Sequence, residues 1–212
     1  MLIRIPVILL ALTAHEFAHG YVAWRRGDPT AKFAGRLTFN PLVHLDVFGT
    51  LMLLYGPFGW AKPVPVESRN LHNPRFDLIW VSIAGPAANV TLAVITGLLY
   101  RTMVQFGMLS AAPAAVHLVV RDLWVLNLGL ALFNLLPIPP LDGSKVVMSL
   151  LPTRALRQYM HFARYAPMVF MGLLAVEWVT DGRYRPFSSL ITPLWRPWMA
   201  FWNMIVIGGS TF

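Results

Sequence analysis

Apolar residues in this chain gather in long blocks, and four blocks approach the roughly 20 residues that carry an α-helix across about 30 Å of hydrocarbon. They run from Ile5 to Trp24, Leu78 to Tyr100, Val116 to Leu136 and Phe162 to Thr180. The second block holds no charge; the fourth is the weakest, with Glu177 inside it and Arg164 and Pro167 near its start. This pattern predicts an all-α polytopic membrane protein of about four transmembrane helices, a single membrane domain over residues 1–212. No repeat, low-complexity linker or appended soluble domain interrupts it. The first block has the outline of a signal peptide, with Arg4 ahead of an apolar core, but no A-x-A cleavage pattern follows, so it is expected to stay as a span.

Between the first two spans the pattern changes. Ala34 to Asn40 alternates like a short strand ended by Pro41, and Lys62 to Val66 is a second extended candidate, so a short β element is expected here. Val47 to Trp60 is apolar but only 14 residues long and carries Gly49, Gly56 and Pro57, which predicts a re-entrant or interfacial segment. A crossing there would invert every later span. In the tail, Trp195, Trp198 and Trp202 form an aromatic stripe at helical spacing, which suits either an interfacial helix or a further apolar packing segment.

Composition fits this picture: 57% of residues are hydrophobic and 12% are charged. The net charge of +8 would invite a nucleic-acid reading in a soluble protein, but the basic residues are distributed by loop. Arg25, Arg26, Lys32, Arg36, Lys62, Arg69 and Arg75 precede the second span, and Lys145, Arg154, Arg157 and Arg164 precede or open the last. These are expected on the cytoplasmic side, with the N-terminus outside and no nucleic-acid partner. Trp24, Trp80, Trp124 and Trp178 fall near span ends, as interfacial tryptophans do. Arg121 beside Asp122 reads as a snorkelling arginine with a local partner. Cysteine is absent, so a metal site must use His, Asp or Glu.

The candidate chemistry lies inside the first span, in H-E-F-A-H from His15 to His19. Four residues apart on a helix, two imidazoles share a face and can hold one zinc ion, while Glu16 beside them is placed as a general base toward water made acidic by the metal. A third ligand is needed. Asp142 is the best candidate, following N-L-L-P-I-P-P-L-D-G, where Pro137, Pro139 and Pro140 must interrupt the third span. The first and third spans run in the same direction, so His15, His19 and Asp142 approach the same cytoplasmic half. The ligand types alone also admit iron or cobalt.

Three separated motifs resemble the site-2 protease family of zinc intramembrane metalloproteases, in its compact prokaryotic branch without a PDZ or CBS domain. H-E-F-A-H-G matches its H-E-x-x-H, N-L-L-P-I-P-P-L-D-G its N-x-x-P-x-x-x-L-D-G, and A-G-P-A-A-N, Ala84 to Asn89, its G-P-x-x-N element. The resemblance covers His15 to about Leu151, including R-L-T-F-N-P-L-V-H-L-D and W-A-K-P-V-P-V. It implies a three-helix catalytic core, zinc held by His15, His19 and Asp142, Glu16 as acid and base, and Asn134 as a donor to the oxyanion. It also implies a transmembrane protein or peptide substrate in a prokaryotic cell (inner) membrane; since such a helix must unwind before cleavage, an edge strand near Ala34 to Asn40 or Lys62 to Val66 is expected to hold it extended by β-augmentation. Asn89 is a supporting candidate, with interhelical hydrogen bonding as its ordinary alternative. His44 with Asp46 is either a supporting group, a second metal site or, more simply, a loop hydrogen bond. A metal transporter or sensor, or an inactive scaffold, are the alternative functions; a Glu16→Gln variant separates them from a protease.

Overall fold

The computed structural model describes residues 4–55, 59–108 and 112–208. Among these, four helices are long and apolar enough to cross a membrane: α1 (Arg4–Arg25), α4 (Pro74–Gln105), α5 (Ala114–Leu135) and α7 (Thr153–Val179). Shorter helices join them: α2 (Thr30–Phe33), α3 (Val47–Tyr55), α6 (Asp142–Leu150) and α8 (Pro186–Trp202). The helix α4 begins before its apolar block because its start is capped. Asn73 accepts from the Phe76 N–H, Asp77 accepts from the Asn73 N–H at 2.7 Å, and Pro74 opens the helix, where its missing N–H costs nothing.

Packed against both α1 and α5, α4 is the centre of the three-helix core. Arg4 at the start of α1 pairs with Asp122 of α5 at 2.8 Å, as expected for two spans that begin on the same side. Asp122 also accepts from Arg121 at 3.2 Å.

The tail returns to this core. Trp195, Trp198 and Trp202 pack around a buried cluster of Ala93, Trp124, Leu128, Val206 and Ile207, so the stripe is used in packing. Trp198 Nε1 donates to the Leu128 carbonyl at 3.1 Å. Trp124, expected at an interface, is instead fully buried, and its Nε1 donates to Asn203 Oδ1 at 3.2 Å. Trp24, Trp80 and Trp178 remain exposed. Glu177 caps α8 by accepting from Ser188 N at 3.0 Å and from the Ser188 hydroxyl, which explains an acid at the end of an apolar helix.

The expected β element is not formed. Among the described residues the pairing is one antiparallel bridge between Leu45 and Ala61. Ala34 to Asn40 is turn and bend, reversed at Gly35 with φ +66°. Arg36 is buried, and its guanidinium donates to the carbonyls of Val43, Lys62 (2.5 Å) and Pro63 (3.2 Å), so a side chain gathers carbonyls that a ladder would otherwise pair. Lys62 to Val66 forms no helix or strand: Pro63 and Pro65 have no N–H, and those of Lys62 and Val64 donate to the His44 carbonyl and Glu16. Little of that segment is left to act as an edge strand. Within the expected re-entrant segment, Val47–Tyr55 is a helix roughly 14 Å long, too short to span. Gly56 and Pro57 lie outside the described residues.

Candidate metal centre and active site

Helix α1 places His15 and His19 on one face, and both imidazoles are buried. Asp142, the first residue of α6, meets them. Its Oδ2 lies 3.1 Å from His15 Nε2 and 3.0 Å from His19 Nε2, and the two Nε2 atoms are 3.0 Å apart. Ligands of a tetrahedral zinc with bonds of about 2.0–2.1 Å stand about 3.3 Å from one another, so this triangle fits a zinc donor set. Two imidazole nitrogens and a carboxylate oxygen facing one another call for a cation between them.

Contacts on the far side of each ring fix which nitrogen faces the centre. His19 Nδ1 donates to the Val81 carbonyl at 2.7 Å, which can only accept, so the lone pair is on Nε2. His15 Nδ1 lies 2.6 Å from Asn89 Oδ1, so Asn89 contacts a candidate ligand on the side away from the centre. Room for the rings comes from Gly85, where a Cβ would press on His19 Nε2 and on His15. Close helix packing is therefore only part of what that glycine permits.

Asp142 is held at several points. The helix start favours its negative charge. Its Oδ1 accepts from Lys145 Nζ at 2.9 Å, leaving Oδ2 to the imidazoles. Gly143 lies under the Leu135 and Leu136 carbonyls with no room for a Cβ, which seats α6 against the end of α5. At its other end, the Arg75 guanidinium donates to the carbonyls of Ser149 (2.5 Å), Leu150 (3.3 Å) and Leu151 (3.1 Å).

Glu16 and Asn134 line the same cavity of about 570 Å³ as the three candidate ligands. Glu16 Oε2 accepts from the Val64 N–H at 2.9 Å, and Asn134 Nδ2 donates to the Leu130 carbonyl at 3.0 Å. His44 does not join this group: its Nε2 bonds the Thr38 carbonyl at 3.0 Å, the loop contact, while Asp46 caps α3 by accepting from the Gly49 N–H at 2.8 Å. No second metal site forms there among the described residues. Sequence reasoning missed the Val64 N–H and took Lys145, Arg36 and Arg75 only as topology markers. Only the one-turn spacing of Lys145 from Asp142 was a visible signal.

Comparison with known proteins agrees with this chemistry. The model of Peptidase family M50 matches residues 102–176, which include Asn134 and Asp142. A candidate zinc metalloprotease of Bacillus subtilis (strain 168), YwhC, is 44% identical over 200 residues, covering 88% of this chain and 91% of the relative. The candidate zinc metalloprotease Rip2 of Mycolicibacterium smegmatis is 34% identical over 144 residues, 64% of this chain and 52% of its own. Rip3 of Mycobacterium tuberculosis, similarly named, is 32% identical over 182 residues, 83% of this chain and 39% of its own. The chain thus spans about half or less of those two relatives. No solved structure matches significantly.

Proposed function

The chain belongs to peptidase family M50, the site-2 proteases, and from its membership as a multi-pass zinc metalloprotease we propose that it cleaves transmembrane protein substrates within the bilayer. One observation carries this reading: a buried His15, His19 and Asp142 set shares its cavity with Glu16, and His15, Glu16 and His19 lie on a helix apolar enough to span. At 1.5 Å per residue, His19 lies roughly 9 Å inside the basic end of α1 at Arg25. The basic residues at that end support a cytoplasmic orientation, in the inner membrane of a prokaryotic cell.

The cavity continues into an apolar groove of about 780 Å³ between α5, α7 and α8, with Trp60, Leu130, Phe133, Pro140 and Leu141 lining both. A substrate helix docks in this groove and unwinds at the polar end, near Glu16. The segment Lys62 to Val66 acts there mainly by holding Glu16, since the N–H groups of Lys62 and Val64 are already engaged. His15, His19 and Asp142 would hold the zinc ion, which when bound would supply Lewis-acid polarisation and a water of lowered pKa. With one oxygen fixed by Val64, Glu16 takes a proton from water and returns it to the leaving amine. Asn134 keeps one amide N–H on Leu130 and offers the other to the oxyanion.

The test is cleavage of single-span substrates by protein reconstituted in vesicles, with Glu16→Gln as the comparison. Turnover is expected to fall about 10²–10⁴-fold, the range for loss of an acid-base group, with zinc content unchanged. Bound zinc with no Glu16-dependent cleavage would turn the assignment toward metal transport or a scaffold.

A further inference from the structure

Behind His15 a chain of amides crosses all three core helices. His15 Nδ1 on α1 faces Asn89 Oδ1 on α4 at 2.6 Å. Asn89 Nδ2 donates to the Ala11 carbonyl of α1 at 3.1 Å and to Asn127 Oδ1 of α5 at 2.8 Å. Asn127 Nδ2 in turn donates to the Leu123 carbonyl at 2.8 Å. Asn89 and Asn127 are both fully buried.

The order of donors and acceptors along this chain is fixed at two points, the Leu123 carbonyl at its far end and the Ala11 carbonyl beside Asn89. The Leu123 carbonyl can only accept, so Asn127 must turn its NH₂ toward it and its oxygen toward Asn89. Asn89 then meets two acceptors, Asn127 Oδ1 and the Ala11 carbonyl, which use both of its N–H groups. Its oxygen is left for His15. That oxygen accepts only from a protonated Nδ1, so the His15 lone pair is on Nε2, on the side of Asp142 and His19.

We propose that Asn127, which touches neither the metal ligands nor the cavity, is a positioning residue that, together with the Ala11 carbonyl, holds the Asn89 oxygen toward His15 Nδ1 and so tunes zinc binding. It differs from membrane asparagine used only as interhelical glue, because here the direction of each bond matters as well as its presence. The inference rests on the metal site but not on the peptidase reading, since zinc affinity is measured without any substrate.

Asn127→Leu removes the acceptor at nearly constant volume. Zinc affinity, read by competition with a chromogenic chelator, is expected to fall about tenfold, the low end for groups that support a ligand from outside, while Asn89→Leu falls further in the 10–100-fold range. Asn127→Asp, whose neutral acid can donate to Leu123 and accept from Asn89 in the same arrangement, should recover most of the loss. The effects should also be non-additive: in an Asn89→Leu background, Asn127→Leu should change zinc affinity little. Imidazole ¹⁵N and ¹³C shifts of labelled zinc-loaded protein should report Nδ1 protonated and Nε2 coordinated at His15. Unchanged zinc affinity in Asn127→Leu, additive losses in the double variant, or coordination through His15 Nδ1 would each overturn the proposal. Should Asn127→Leu not fold, the Asn127→Asp comparison and the wild-type shifts still decide it.

Discussion

Helices α4 and α7 are both long and apolar, yet 39% of the apolar window of α4 is buried by protein and only 6% of that of α7. The difference follows what each carries. Helix α4 brings Gly85, Asn89 and the Val81 carbonyl against the imidazoles, and Arg75 against the end of α6. Helix α7 turns Met168, Val169, Val176 and Val179 outward and packs mainly on α8. Polar atoms belong in a membrane where every one has a partner, and in this chain those positions tolerate little change.

The contrast is most easily broken with alanine at two helical glycines. Gly85→Ala forces a Cβ against both ligand imidazoles, and zinc affinity is expected to drop about 100-fold or more, beyond what loss of an outer support costs; metal competition measures it. Lys145→Met frees Asp142 Oδ1 and should lower zinc affinity about tenfold, with Lys145→Arg recovering part of it.

A smaller effect concerns the loop that joins α1 to α4. Asp28 is buried and accepts from Thr30 N (3.1 Å), Thr30 Oγ1 (2.5 Å), Glu67 N (2.7 Å) and Asn70 Nδ2 (3.0 Å). Burial pushes its carboxyl up, but these donors hold it below its ordinary 3.8. A depressed carboxyl stabilises the fold above its unfolded pKa and loses that contribution as pH falls through the folded value. Protection of the loop amides against hydrogen exchange should therefore decline as pH drops below 3.8, and Asp28→Asn should flatten the dependence. Smallest of all, Gly172→Ala in α7 meets nothing within 4 Å and should stabilise by about 0.5–1 kcal/mol in a thermal melt, leaving zinc binding unchanged.

The same contrast marks what was legible in the sequence. Spans and ligand candidates were legible because their signals are local or compositional: block length, the His15–His19 spacing, prolines ahead of Asp142. The loops were not. Ala34 to Asn40 alternates like a strand, but Arg36 folds inward onto three carbonyls, and no pattern of side chains reveals which backbone oxygens a guanidinium will find. Asn127 escaped notice for a similar reason, since its role depends on the direction of hydrogen bonds among three helices. Trp124 was misplaced because position near a span end says nothing about whether the tail returns to cover it.

Asp142 has a consequence for assembly as well. It opens a short helix that packs chiefly on α4, whereas the imidazoles it faces belong to α1. A divalent ion shared by the three would act as a clasp between segments more than a hundred positions apart in the chain. Metal at 1,000 times its dissociation constant adds about 4.1 kcal/mol to a folded state that alone binds it. Chelators should then loosen the junction of α1 and α6 as well as stop turnover, and metal supply during biogenesis would help decide how much of the newly inserted chain reaches its closed form.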